Sequence, residues 1–295
     1  MCDACAVTES RKARAARRAG EFPPPPQPLA VPVIDSHTHL DITLTEGGTD
    51  GPDSVADAIR LARAAGVDRL VQVGVDVPSS RWGVKVAHEH DAVVATVAVH
   101  PNEAPRLPDL AAALGEIEAM AGDPRVRGIG ETGLDTYRTG EAGRAAQEES
   151  FRAHVAIAKR YGKPLVIHER EAHDGILRVL DEEGAPDTVV MHCFSGDAEF
   201  AAECVRRGYV LSFAGTVTFA SAGALREAAA LTPPDQILVE TDAPYLTPMP
   251  YRGRPNASYL IPLTVRALAE VKKMDVDDLC TAISATGDRV FFSGM

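Results

Sequence analysis

The sequence predicts a (β/α)8 TIM barrel, and three observations carry the prediction. Beyond residue 30, short runs rich in β-branched residues alternate with stretches of helical period, the pattern of βα units. Eight such runs occur in a chain of 295 residues, a size at which a parallel barrel commonly forms one domain. Residues able to hold a metal recur at the C-terminal ends of those runs, the rim where barrel enzymes place their sites. A doubly wound open sheet is the lesser alternative.

The first strand is expected over Val31 to His39, where the apolar entry Val31-Pro-Val-Ile34 leads into Asp35-Ser-His37-Thr-His39. Strict alternation puts Asp35, His37 and His39 on one face, with Ser36 and Thr38 opposite. Two imidazoles on one face of a rigid strand make half a metal site. A helix over Ser54 to Ala65 leads to the second strand, Arg69 to Val75, and the third, Val93 to His100, ends on His100 before Pro101. After a helix over Leu107 to Ala121 comes the fourth strand, Val126 to Thr132, within Gly128-Ile-Gly-Glu131-Thr-Gly-Leu-Asp135. Glycines on both sides of Glu131 leave room for close backbone approach, and its two oxygens can bridge two cations.

A helix over Ala142 to Tyr161 precedes the fifth strand, Pro164 to His168, which ends on a histidine. The helix Gly175 to Glu183 leads to the sixth strand, Thr188 to Phe194, carrying His192 in Val190-Met-His-Cys-Phe-Ser-Gly196. The remaining units are a helix over Ala198 to Arg207, the strand Tyr209 to Gly215, a helix over Ala222 to Leu231, and the strand Ile237 to Asp242, followed by Ala243-Pro-Tyr-Leu246. A helical pair, Tyr259 to Lys273 and Val276 to Thr286, closes the chain.

Residues 1–30 differ from the barrel domain assigned to 31–295. A basic stretch, Arg11 to Arg18, runs into Glu21-Phe-Pro-Pro-Pro-Pro-Gln-Pro28, which cannot continue a helix and reads as a mobile tail with a polyproline spacer. Prolines where a secretory signal would need an apolar core argue against export. No apolar run approaches the roughly 20 residues that span a bilayer. Cys2 and Cys5 form a C-x-x-C without a second pair nearby, and Cys193, Cys204 and Cys280 are scattered through core segments, which suits a reduced cytoplasm. The net charge of −12, from 30 Lys and Arg against 42 Asp and Glu, lacks the basic footprint typical of nucleic-acid binders. No feature marks an obligate protein partner.

Four histidines and two carboxylates converging on one rim would compete for protons in a small volume unless cations held them. The segments that carry them, Val33-Ile-Asp-Ser-His-Thr-His-Leu40, Gly128 to Asp135, Ile167-His-Glu-Arg170, Met191-His-Cys-Phe-Ser-Gly196 and Val239-Glu-Thr-Asp-Ala-Pro-Tyr-Leu246, closely resemble the ordered motifs of the TatD family of metal-dependent hydrolases. The resemblance runs from about residue 31 to the C-terminus. It implies a barrel with two divalent cations, one held by His37, His39 and Asp242, the other by His168 and His192, with Glu131 shared. It also implies a Mg2+-dependent deoxyribonuclease, often a 3′-5′ exonuclease, with DNA or an oligonucleotide as substrate. The chain departs from the family at Glu169, where Ser is common, and at Arg254-Pro-Asn256-Ala-Ser258, where Asn-Glu-Pro is common. Both departures are expected near the mouth of the site.

The chemistry follows from the ligands: paired cations activate a water and neutralise phosphoryl charge. Asp242 can accept the proton as well as bind metal, and His100, not needed as a ligand, can contact the phosphate or protonate the leaving group. Arg170 or Arg252 can hold phosphate in a bidentate fork, and Asp135 orients a neighbour. Imidazole-rich sites suit zinc, manganese or iron better than magnesium. The rival reading is an amidohydrolase acting on a small amide, ester or lactone; some such enzymes bridge their metals with a modified lysine on the fourth strand, where this chain offers Glu131. A non-catalytic metal-binding scaffold is the remaining alternative, although a structural site is closed by its ligands and would not require a second cation.

Overall fold

The protein is described by a computed structural model covering residues 20–46 and 50–293. The Cys2/Cys5 pair and the basic stretch Arg11 to Arg18 lie outside the described residues. Eight strands are hydrogen-bonded side by side in chain order: β1 (Val33–Thr38), β2 (Val67–Val73), β3 (Val93–Val97), β4 (Val126–Asp135), β5 (Leu165–Arg170), β6 (Val189–Met191), β7 (Val210–Phe213) and β8 (Ile237–Val239). Every pairing is parallel. The barrel closes just beyond β8, where Thr38 bridges Ala243. There the N–H groups of His39 and Asp242 donate to the carbonyls of Ala243 and His37, each at 2.9 Å.

The helices are α1 (Leu40–Glu46), α2 (Val55–Ala64), α3 (Val77–Glu89), α4 (Leu110–Ala121), α5 (Arg144–Tyr161), α6 (His173–Glu183), α7 (Ala198–Arg206), α8 (Gly223–Leu231), α9 (Ile261–Lys272) and α10 (Val276–Gly287). Strands buried on both faces feed two apolar layers. Ile34, Val71, Val94, Val166, Val190, Val210 and Leu238 fill the bore together with Val290 and Phe291 from the chain's end. Val33, Leu70, Val93, Leu165, Val189, Leu211 and Ile237 face the helices. Each such side chain contributes roughly 1.5–3 kcal/mol by leaving water. The polar strand ends therefore gather at the opposite, C-terminal rim.

Three expectations need correction. First, Asp35 does not share a face with His37 and His39. Ile34 points into the bore, and Ser36 follows it, its hydroxyl 2.8 Å from that of Ser212. Asp35 faces the other way and accepts from Thr241. The β1–β2 register shifts between Asp35 and Thr38, and this irregularity re-aims the two histidines. Second, α3 was not anticipated, because Pro78, Ser79, Ser80 and Gly83 are poor helix formers. Its start was legible: Asp76 caps the helix in a reciprocal box with Ser79, and proline occupies the first turn.

Third, the proline-rich segment is no mobile spacer from residue 21 onward. Phe22 packs with Ala65, Tyr259 and Leu260. The Tyr259 hydroxyl donates to the Pro23 carbonyl at 2.6 Å, and Arg254 donates to the Glu21 and Phe22 carbonyls at 2.8 Å each. Arg266 reaches the Pro28 carbonyl at 3.1 Å, and Leu29 N–H donates to Ala65 at 3.0 Å. An extended proline run forms no internal hydrogen bonds, so its carbonyls remain open to such donors.

Candidate metal centre

Glu131 on β4 divides the cluster through its two oxygens. Oε2 lies 3.4 Å from His37 Nε2 and 3.9 Å from His39 Nε2. Asp242 Oδ1 completes this group, 3.4 Å from His39 Nε2 and 3.9 Å from His37 Nε2. These separations are long for hydrogen bonds, yet two donors that share one ion at about 2.1 Å each stand roughly 3–3.5 Å apart. Both nitrogens of His37 and Nδ1 of His39 are buried without a hydrogen-bond partner among the described residues. Buried polar atoms left unpaired are costly, and a cation between the two Nε2 atoms and the carboxylate oxygens satisfies the orphaned His37 Nε2, so this donor set fits a divalent metal.

Oε1 of Glu131 faces three other imidazoles: His168 Nδ1 at 2.7 Å, His192 Nε2 at 3.1 Å and His100 Nε2 at 3.3 Å. Their tautomers differ because their outward nitrogens meet different partners. Asn102 N–H donates to His100 Nδ1 at 3.0 Å, so the neutral ring keeps its proton on Nε2, the atom facing the site. His192 turns Nδ1 towards Glu240 Oε1 at 2.9 Å, an ion-pair contact bent away from an ideal hydrogen-bond angle, and a proton held there leaves the Nε2 lone pair free. The neutral His100 therefore turns a proton and His192 a lone pair towards Glu131, although both lie close enough to it to share an ion.

The surrounding residues fix these atoms. Asp135 Oδ2 lies 3.3 Å from His168 Nε2 and accepts from Asn102 Nδ2 at 2.8 Å. Asp35 accepts from the Thr241 N–H at 2.9 Å and from its hydroxyl at 2.6 Å, holding the residue before Asp242. Asn256 donates from Nδ2 to the carbonyls of Thr241 and Tyr245, at 2.9 and 2.6 Å, bracketing Asp242 on both sides. Close strand approach beside Glu131 requires glycine. A Cβ on Gly130 would meet the Val166 carbonyl at 2.6 Å, and one on Gly133 the His168 carbonyl at 2.1 Å, with both residues at positive φ.

Burial opposes ionisation of Glu131, but the His100 and His192 imidazoles outweigh it and hold the carboxyl well below its usual range. Burial likewise pulls His168 down, yet its contacts with Asp135 and Glu131 win and push it up to about 9. His37 stays below the ordinary histidine value through burial and the neighbouring His192. Asp35 is pushed up to about 7 by burial, against the Thr241 hydrogen bonds.

All six residues expected as ligands, and His100, are brought together. Of these, His39, His100, His192 and Asp242 stand just past the strand ends. Arg170 and Arg252 have no carboxylate contact among the described residues; each guanidinium instead stacks on a ring, Arg170 over Tyr137 at 3.9 Å and Arg252 over Phe219 at 4.4 Å. Glu169 and Asn256 are buried, not open at the mouth. Glu169 accepts the Ala172 N–H at 2.7 Å and sits 3.0 Å from His173 Nε2. Sequence reasoning missed Glu240, Asn102 and the positioning role of Asp35. Glu240, two residues before Asp242 on the same alternation, was the one signal available. Among the described residues no helix is long and apolar enough to cross a membrane.

Comparison with known proteins agrees with this geometry. Residues 34–292 match the family model described as TatD related DNase. The chain is 45% identical over 266 residues to an uncharacterized metal-dependent hydrolase TatD of Mycobacterium tuberculosis, covering 89% of this chain and 98% of that protein. It is 33% identical to a protein of Citrobacter rodentium named 3′-5′ ssDNA/RNA exonuclease TatD, over 80% of this chain and 90% of the relative. Among solved structures, a TatD homologue from Escherichia coli K12 superposes with a TM-score of 0.81 at 26% identity, covering 88% of this chain and 98% of that one.

Proposed function

The chain belongs to the TatD family of metal-dependent hydrolases, and from that premise we propose that it is a deoxyribonuclease that trims DNA from the 3′ end with two divalent cations. The observation that carries the reading is the division of Glu131, with Oε2 towards His37 and His39, which Asp242 joins, and Oε1 towards His168, His192 and His100. The name of the Citrobacter relative supports phosphodiester chemistry.

His37, His39 and Asp242 would hold one cation, His168 and His192 the other, with Glu131 shared. Bound cations supply a nucleophile at neutral pH and neutralise charge on the attacked phosphoryl group. The four imidazoles favour manganese or zinc over magnesium. Asp242 takes the proton of the attacking water on a carboxylate oxygen. His100, its proton held on Nε2 by Asn102, donates to the departing oxygen. Arg170 and Arg252 neutralise flanking phosphates. Asp35 and Asn256 keep Asp242 in place through the backbone on either side of it.

The test is a hydrolysis screen of metal-loaded protein on single-stranded DNA, a simple phosphodiester and a carboxylic ester. Turnover of both phosphodiesters supports the reading. Activity confined to the ester would overturn it in favour of an amidohydrolase.

A further inference from the structure

Tyr137 is 59% exposed, the most open of the large apolar and aromatic side chains that reach the surface among the described residues. It follows β4 at the rim, and the guanidinium of Arg170 covers one side of its ring at 3.9 Å. The two residues are held in place by their neighbours. Asp135 on β4 pairs with Arg170 on β5, and Thr136 N–H donates to the Arg170 carbonyl at 3.1 Å. Arg170 lies two residues beyond His168, on the same side of the strand and about 6–7 Å nearer the mouth. Asp135, two residues before Tyr137, is the contact of His168 Nε2. The guanidinium, with the ring stacked on it, thus stands on the mouth side of His168.

Two arginines farther along the rim are engaged with carboxylates, Arg144 with Glu141 and Arg178 with Glu148 and Glu182, whereas the exposed guanidinium of Arg138 beside Tyr137 has no carboxylate contact among the described residues. Arg170 has no such contact among the described residues and is stacked instead. An aromatic face backed by an unneutralised guanidinium suits a planar, electron-rich group that carries a phosphate. Thr136 and Glu171, flanking the pair in sequence, line a groove of about 710 Å³ between the starts of α5 and α6.

We propose that Tyr137 and Arg170 form a nucleobase platform, on which the base next to the scissile phosphate of a single strand stacks against Tyr137 while Arg170 holds its phosphate. This deepens the nuclease reading and rests on it. Stacking on an aromatic face tolerates any base, because every base has a π-face. It also gives an acidic protein hold on a strand without a broad basic surface.

The experiment compares two oligonucleotides that differ only in an intact or an abasic nucleotide beside the cleaved bond. They are tested on the metal-loaded wild-type protein, Tyr137→Ala and Tyr137→Phe. In wild type the abasic site raises KM by at least about fivefold, the lower end of what one stacked base contributes. Tyr137→Ala gives both substrates the same high KM, and Tyr137→Phe, which keeps the ring, restores the discrimination. Discrimination undiminished in Tyr137→Ala overturns the platform while leaving the nuclease reading intact. Hydrolysis of bis(p-nitrophenyl) phosphate with no cleavage of either oligonucleotide removes the nuclease reading and the platform with it.

Discussion

Glu240 Oε1 stands 2.9 Å from Nδ1 of His192, both side chains buried behind the metal-binding layer. The carboxylate draws the ring proton outward and leaves the Nε2 lone pair facing Glu131 Oε1. His100 faces the same oxygen with the opposite polarity, because the Asn102 N–H fills its Nδ1. Two imidazoles of one composition thereby turn a lone pair and a proton towards the same carboxylate oxygen.

Removing the carboxylate behind His192 should weaken metal binding without dismantling the barrel. Glu240→Ala is expected to lower affinity for one of two cations about 10- to 100-fold, with Glu240→Gln in between. Titration against a calibrated chelator measures this. Unchanged affinity in Glu240→Ala would show that the pair is only packing.

His100→Ala should leave metal content at the wild-type level while kcat on oligonucleotides falls about 100-fold or more. The loss should shrink with p-nitrophenyl phosphodiesters, whose departing oxygen needs little protonation. Loss of a metal equivalent in this variant would instead make His100 a ligand.

His154 on α5, packed behind the strands that carry Glu131 and His100, offers a pH test that involves none of the candidate ligands. Buried, it accepts the Val99 N–H on Nε2 at 3.1 Å and meets the Ser150 carbonyl through Nδ1 at 2.6 Å, and burial pushes its pKa down to about 4. The unfolded chain binds this proton near pH 6.5 and the folded chain only near 4, so the stabilisation is complete above about 6.5 and is lost as pH falls towards 4. Across that window the site contributes roughly 3 kcal/mol of pH dependence. Denaturant unfolding of wild type and His154→Gln at pH 7 and pH 5 should show a smaller drop in the variant; equal drops would assign the acid sensitivity elsewhere.

The packed proline segment, which precedes the family match, predicts a stability cost both at Phe22 within it and at Arg254, which holds it. Phe22→Ala should cost about 3 kcal/mol, as for a buried ring. Arg254→Ala should cost about 1–2 kcal/mol through loss of its two carbonyl contacts. Thermal melts read both, and wild-type stability for Phe22→Ala would mean that the segment is not docked in solution.

All eight strands were legible as β-branched runs, and six of them lead at or near their C-terminal ends to a His, Glu or Asp of the cluster, so composition and position pointed the same way. The face of Asp35 was not, since alternation assumes an unbroken strand and the irregularity after it arises from pairing with β2. Contacts such as Asn102 with Asp135 or Asn256 with the Thr241 carbonyl join residues that the folded chain brings together. The proline segment was misread for a related reason: its composition reports what it cannot do alone, while its docking depends on Arg254, Tyr259 and Arg266 far along the chain.

The central claim, that Glu131 joins two cation sites, is tested most directly by elemental analysis of manganese-loaded protein, wild type against Glu131→Ala, with phosphodiester turnover measured on the same samples. About two equivalents per chain in the active wild type, with both metal content and turnover lost in a still-folded Glu131→Ala, is the expected result. Full metal content and full turnover in that variant would contradict the account.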